Sequence, residues 1–164
     1  MKSLLLVRHA KSDRSMSTFL SDRDRPLNER GLQDAPKLGK ALAKLGFIPE
    51  QAISSPANRA YTTAQLVLRQ TDFSREILID DRIYSEGFEG VLNSIKELDS
   101  DVQSVAIFGH NPTISEMIHY FLRMGQVPVT PTGTMALIHF HAQSWRNIES
   151  CRAELAFYLI PRLL

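Results

Sequence analysis

Apolar residues fall in short clusters along the chain, and the spacing within each cluster names the element it builds. Leu4-Leu5-Leu6-Val7 is a continuous apolar run of strand length and predicts a buried strand over 3–7. From Lys11 to Arg25 the chain is polar and charged, with Met16, Phe19 and Leu20 isolated, so a long ordered loop is expected there. Asn28 then caps a helix running to about Leu45, with Ala35, Leu38, Leu42 and Leu45 on one face and Gly46 ending it. Pro36 lies inside that stretch and should kink or shorten the helix.

Ala52-Ile53 is a second short strand. Ser55 as N-cap and Pro56 at the first helical position open a helix whose apolar face is Ala60, Ala64, Val67 and Leu68. Ile77-Leu78-Ile79 reads as a strand, and Val91, Leu92, Ile95 and Leu98 mark the next helix. Val105 to Phe108 is another buried strand. Gly109-His110-Asn111-Pro112 follows it and opens a helix with Ile114, Met117, Ile118, Phe121 and Leu122 inside. Two late strands, about 134–140 and 153–160, finish the chain. Strands alternating with helices predict an α/β fold with a central, mostly parallel sheet, made mixed by the C-terminal pair. With no repeat, low-complexity tract or linker, residues 1–164 are expected to form a single domain.

Composition narrows the function classes. Hydrophobic content of 43% and charged content of 23% are those of an ordinary soluble globular chain. A formal net charge of +1 supplies no global field for nucleic acid or an anionic membrane, so neither is an expected partner. Anion binding must therefore come from cations placed locally. The single cysteine, Cys151, excludes an internal disulfide and fits a reducing compartment. Arg8 interrupts the N-terminal apolar run before it reaches the length of a secretory signal, and no apolar run is long enough to span a bilayer. A cytoplasmic location is the expectation.

In open α/β sheets, ligands bind beyond the carboxyl ends of the strands. Three such ends carry groups suited to phosphate: Arg8-His9, the helix opening with Arg59, and His110-Asn111. Helix N-termini favour anions, and arginine offers a rigid charged fork to phosphate oxygens. Two arginines and two histidines could thus surround one phosphoryl group. Asn111 either donates a further hydrogen bond or caps its helix. Arg25 either rims the pocket or forms a salt bridge with Asp22 or Asp24. His139 and His141 on one strand would share a face, but spacing shows no third ligand, and no metal or other cofactor is assigned.

The motifs RHAK at the first strand, SSPANRAYTTA at the second helix and GHNP at the later strand end resemble the histidine phosphatase superfamily. The stretch DRPLNERG (Asp24 to Gly31) resembles its small SixA-type branch. So does the tail from Thr130-Pro131-Thr132-Gly133 through Trp145 to Ile160-Pro161-Arg162. The resemblance implies a three-layer α/β/α, phosphoglycerate mutase-like fold, compact and without a cap insertion. It implies metal-independent phosphatase activity, with His9 as the nucleophile, Arg8 and Arg59 as phosphate clamps and His110 as the second pocket histidine. Ala10 stands where the superfamily commonly has glycine. Larger relatives carry an acid after the middle strand; here that stretch reads Tyr84-Ser85-Glu86, which makes Glu86, offset by one residue, the candidate general acid.

A site with a nucleophile, a clamp and a poorly placed acid suits cleavage of a nitrogen–phosphorus bond. The implied substrate is phosphohistidine on a protein, in a signalling setting. A small phosphoester or phosphoanhydride is the alternative within the enzymes. A non-catalytic module that binds phosphorylated proteins is the alternative outside them.

Overall fold

A computed structural model describes residues 1–15, 17–126 and 129–164. Met16, one of the isolated apolar positions of the loop, lies outside the described residues. Strands β1 (Lys2–Arg8), β2 (Gln51–Ser54), β3 (Ile77–Ile79), β4 (Ser104–Gly109), β5 (Met135–Phe140) and β6 (Ala153–Leu159) form one sheet in the order β3-β2-β4-β1-β5-β6. The β3, β2, β4 and β1 neighbours run parallel, and β5 joins β1 and β6 antiparallel. The sheet is therefore mixed, as the pattern of apolar runs predicts.

Side chains alternate across the strands and so divide the core into two layers. Leu4 and Leu6 of β1 join Val105 and Ile107 of β4 on one face, under helices α4 (Gly87–Lys96) and α5 (Thr113–Leu122). Leu5, Val7, Ala106 and Phe108 point the other way, against α1 (Glu29–Lys44) and α2 (Asn58–Leu68). Helices on both faces of one sheet give three layers. No helix among the described residues is long and apolar enough to cross a membrane.

Local chemistry sets most of the boundaries. Asn28 caps α1 by accepting from the Gly31 amide at 2.9 Å, and Gly46, at φ +72°, ends the helix in the left-handed region. The helix runs through Pro36 without interruption, against the expected shortening. Leu45 is half exposed instead of buried; it is the C-cap residue, one position past the end of α1 at Lys44. Ser55 does not cap α2. The helix begins three residues later, at Asn58 after Ala57, and Pro56 lies outside it. Pro112 likewise sits one position before α5. The periodicity misses a four-residue helix, α3 (Arg82–Ser85), and two 3₁₀ helices, Trp145–Ser150 and Pro161–Leu163. All three are too short to show a period.

Candidate active site

The parallel register of β1, β4 and β2 brings three strand ends level, since Arg8 is opposite Gly109 and Ser54 is opposite Phe108. Backbone bonds continue past the sheet: the His9 amide donates to the Gly109 carbonyl at 3.0 Å, and the Ser55 amide to Phe108 at 2.9 Å. His9 and His110 consequently face each other with ring centroids 5.3 Å apart. Both line a cavity of about 580 Å³, together with Arg8, Arg25, Arg59 and Asn111.

His9 is buried, and its Nδ1 lies 2.7 Å from the Ala10 carbonyl oxygen. A carbonyl can only accept, so Nδ1 carries the proton and Nε2 keeps its lone pair. Burial pushes the ring down to about 3; the Ala10 carbonyl pulls the other way, and His110, Arg59 and Arg8 add to the depression. The imidazole is neutral at any ordinary pH. Ala10 itself is fixed by its amide, which donates to Thr63 Oγ1 at 3.0 Å, while that hydroxyl donates to the Arg59 carbonyl at 2.7 Å.

Each arginine is held by its terminal nitrogens and leaves its Nε free. Arg8 Nη1 donates to the Thr130 carbonyl at 2.6 Å. Arg59 Nη1 donates to the Asp22 carbonyl at 2.6 Å, and Nη2 to Asp22 Oδ2 at 3.0 Å. His110 Nε2 lies 2.8 Å from Ser55 Oγ, and burial, then Arg59, lowers this ring to about 4. Among the described residues, Arg8 Nε, Arg59 Nε and His110 Nδ1 are buried with no hydrogen-bond partner. Buried polar groups in native structures are almost always paired. Three orphans on residues that line one cavity mark a place shaped for an oxygen-rich anion.

The other sequence candidates separate. Arg25 does both things expected of it: it lines the cavity, and its Nη2 donates to Asp22 Oδ1 at 3.0 Å while Nη1 bonds Ser12 Oγ. Asn111 also lines the cavity, but its side chain is tied to the fold. Its Oδ1 accepts from the Ser115 amide at 3.2 Å, and its Nδ2 donates to Thr130 O at 3.0 Å. Glu86 is exposed at the junction of α3 and α4 and is not among the residues lining the cavity. His139 bonds Ser3 at the opposite end of β1, and His141, beyond the end of β5, faces Glu154. No group of three or more metal-ligating side chains occurs among the described residues.

The carboxylate that does approach the pocket is Asp22, noticed in the sequence only as a partner for Arg25. Its Oδ2 accepts from Tyr84 Oη at 2.7 Å and from Arg59, and the Tyr84 ring packs edge-on to His110 at 5.6 Å. Tyr84 first, then Arg25 and Arg59, holds the Asp22 carboxyl well below the usual carboxylate range. It is an anchored anion and not a proton store. The sequence offers Ser55 as the cap of α2; its hydroxyl accepts instead from the Ala57 amide at 3.1 Å, outside the helix, and its contact with His110 has no signal in the spacing.

Comparison with known proteins agrees with this geometry. Residues 4–85 match the model of the histidine phosphatase superfamily (branch 1). The chain is 28% identical to an uncharacterised protein of Mycobacterium leprae, over 95% of this chain and all of that one. It is 33% identical to a 2,3-bisphosphoglycerate-dependent phosphoglycerate mutase of Rhizobium meliloti, over 87% of this chain and 63% of the mutase. A crystal structure from Agrobacterium tumefaciens, assigned as the phosphohistidine phosphatase SixA, superposes with a TM-score of 0.83 at 27% identity, covering 98% of this chain and 99% of that one. The protein histidine phosphatase SixA complexed with tungstate shares the fold, at a TM-score of 0.75 and 17% identity, with 98% of each chain covered.

Proposed function

The chain belongs to the histidine phosphatase superfamily, and from that premise we propose that residues 1–164 form a single-domain phosphatase for phosphohistidine on a protein, working through a phospho-His9 intermediate. The observation that carries this reading is the set of three unpartnered donors, Arg8 Nε, Arg59 Nε and His110 Nδ1, gathered around a neutral His9.

In the first step the His9 Nε2 lone pair attacks phosphorus, and the bond from phosphorus to the substrate's ring nitrogen breaks. The Ala10 carbonyl stabilises the positive charge that spreads to Nδ1. Arg8, Arg59 and His110 donate to the non-bridging oxygens, where positioning and electrostatics carry most of the catalysis. In the second step water attacks phospho-His9, the new P–N bond breaks, and phosphate leaves with His9 restored to its neutral form.

Leaving-group chemistry favours phosphohistidine over an ester. An alkoxide needs a proton donor, worth roughly 10²–10⁴ in rate. The carboxylate beside the pocket, Asp22, is held ionised, and Glu86 is outside the cavity. A phosphorylated imidazole can take a proton from water on its distal nitrogen near neutral pH and depart as a neutral ring. A small phosphorylated molecule is the second reading, because the cavity is open and the mutase relative acts on one.

The test is to mix the protein with a ³²P-labelled phosphohistidine protein, quench early and map the label. Label on His9 with release of phosphate, both lost in His9→Ala, is expected. Binding without release or labelling would replace the enzyme with a phosphoprotein-binding module. Faster turnover of an alkyl phosphomonoester would favour the small-molecule reading.

A further inference from the structure

Among the described residues, five cations line the cavity, and the phosphoryl clamp uses two of them. Arg8 and Arg59 supply the inward donors, and Arg25 is paired with Asp22. Lys11 and Arg14 are left at the mouth, both exposed and, among the described residues, without an ion-pair partner. Lys11 and Thr132 also line a smaller neighbouring pocket of about 160 Å³, which Arg162 lines as well, again exposed and unpaired among the described residues.

The nearby acids do not answer these charges. Asp13 accepts from Ser15, Asp22 from Arg25, Arg59 and Tyr84, and Asp24 from Ser21. Asp34 and Arg30 both line the smaller pocket, where the buried Asp34 is taken up by its pair with Arg30, and Glu29 is exposed outside both pockets. No acidic side chain lines the main cavity among the described residues. On a chain whose net charge is only +1, this mouth is a local concentration of positive charge. A single phosphoryl group of charge near −2 would be matched by Arg8 and Arg59 alone.

We propose that Lys11, flanked by Arg14 and Arg162, forms a second anion subsite that reads acidic side chains next to the phosphorylated residue of a polypeptide substrate. This deepens the phosphohistidine reading and rests on it. The subsite speeds encounter and fixes which way the polypeptide crosses the mouth, as complementary rim charges do. Lys11 lines both pockets, Arg14 the main cavity and Arg162 the smaller one, so cations are offered along more than one direction from the phosphoryl site.

The experiment uses fluorescent peptides with a hydrolysis-resistant phosphonate mimic of phosphohistidine, flanked by Glu, Gln or Lys, and reads anisotropy on the intact protein. The Glu-flanked peptide is expected to bind about fivefold or more tighter than the Gln-flanked one at low salt. That advantage should shrink as ionic strength rises and disappear in the Lys11→Gln/Arg14→Gln double variant. Both side chains are exposed, so folding of the variant is not at risk. Equal affinity for the Glu and Gln peptides, or a preference for Lys, would overturn the subsite. Phosphate release from true phosphohistidine peptides, followed in parallel, tests the underlying activity separately: turnover without acidic preference removes the subsite alone, and acidic preference without turnover removes the enzyme reading alone.

Discussion

His110 Nε2 lies 2.8 Å from the hydroxyl of Ser55, and the opposite ring nitrogen, Nδ1, is buried with no partner among the described residues. Ser55 Oγ also accepts from the Ala57 amide. Its one proton is therefore free to go to His110 Nε2, which leaves the His110 proton on Nδ1, aimed at the anion site. Ser55 acts on the reaction only through His110. The Ser55→Ala variant should lose about 10- to 100-fold in kcat with little change in KM, since the tautomer is no longer fixed while the clamp remains. An unchanged kcat would remove Ser55 from the mechanism. Thermal unfolding measured alongside separates this from a folding defect.

Asp22 anchors the loop after His9 onto Arg59, Arg25 and Tyr84. Because those partners hold it ionised, it works as a strut and not as a general acid. Asp22→Asn should lower kcat/KM by about tenfold, and by the same factor for a phosphohistidine peptide and an aryl phosphate. A general acid behaves differently, since its loss weighs most on the poorer leaving group. Glu86→Gln, at an exposed position outside the cavity, should leave both rates within about twofold. Loss of activity only on esters in Glu86→Gln would restore the carboxylate to the mechanism.

Neutral histidines at the site give stability a pH signature. His9 is lowered to about 3 and His110 to about 4, chiefly by burial, with Arg8, Arg59 and Arg25 opposing a further charge and Asp22 partly offsetting them at His110. Their unfolded values lie near 6.5. Between those limits the unfolded chain binds more protons than the folded one, so stability rises with pH there. The contribution is full above about 6.5 and is lost as pH falls toward 3–4, at a cost on the order of 1 kcal/mol per histidine by pH 5.5. Urea unfolding at pH 7.5 and 5.5, in a buffer without phosphate, should show a smaller loss for His9→Asn than for the parent chain. An equal loss in both would mean that His9 titrates normally. The same depression predicts that kcat/KM has no acid limb from His9 above pH 5.

The sheet and its two apolar layers were legible because buried strands and amphipathic helices leave a periodic record. The record fails where elements are short or where polar atoms decide. Ser55 and Pro56 have the right chemistry for a helix start, but the Ser55 hydroxyl is taken by Ala57 and His110, and α2 begins three residues later. Leu45 matches the apolar stripe of α1 yet is its half-exposed C-cap, just past the last helical residue. At the site, Arg8, His9, Arg59 and His110 were visible because each follows a strand or opens a helix. Asp22 and Tyr84 were not, since 62 residues separate them and they meet only once the loop after β1 folds back over α2. Gly31 shows why that loop returns so closely: a Cβ there would lie 2.2 Å from the Lys11 carbonyl oxygen, so only glycine admits the contact.

Lys2 provides a stability test far from the chemistry. It stands at the start of β1, six residues and roughly 20 Å from Arg8, and its side chain is almost fully buried. Its ammonium donates to the carbonyls of Ser100 and Val102 and lies 5.8 Å from the centre of the Trp145 ring. Trp145 Nε1 shares the Val102 carbonyl at 2.8 Å, so Lys2→Met would leave the Ser100 oxygen as the group that loses its partner. The Lys2–Ser100 bond is part-buried, and a hydrogen bond to a charged group contributes about 1.5–3 kcal/mol. For a chain of this length that is a fall in Tm of roughly 5–10 °C. Methionine fills nearly the same volume, so cavity formation adds little. The activity of Lys2→Met well below its Tm should match that of the parent chain, because β1 stays paired on both sides between Lys2 and Arg8. An unchanged Tm would mean that the apolar contacts of the lysine stem, and not its ammonium, hold this end of the sheet.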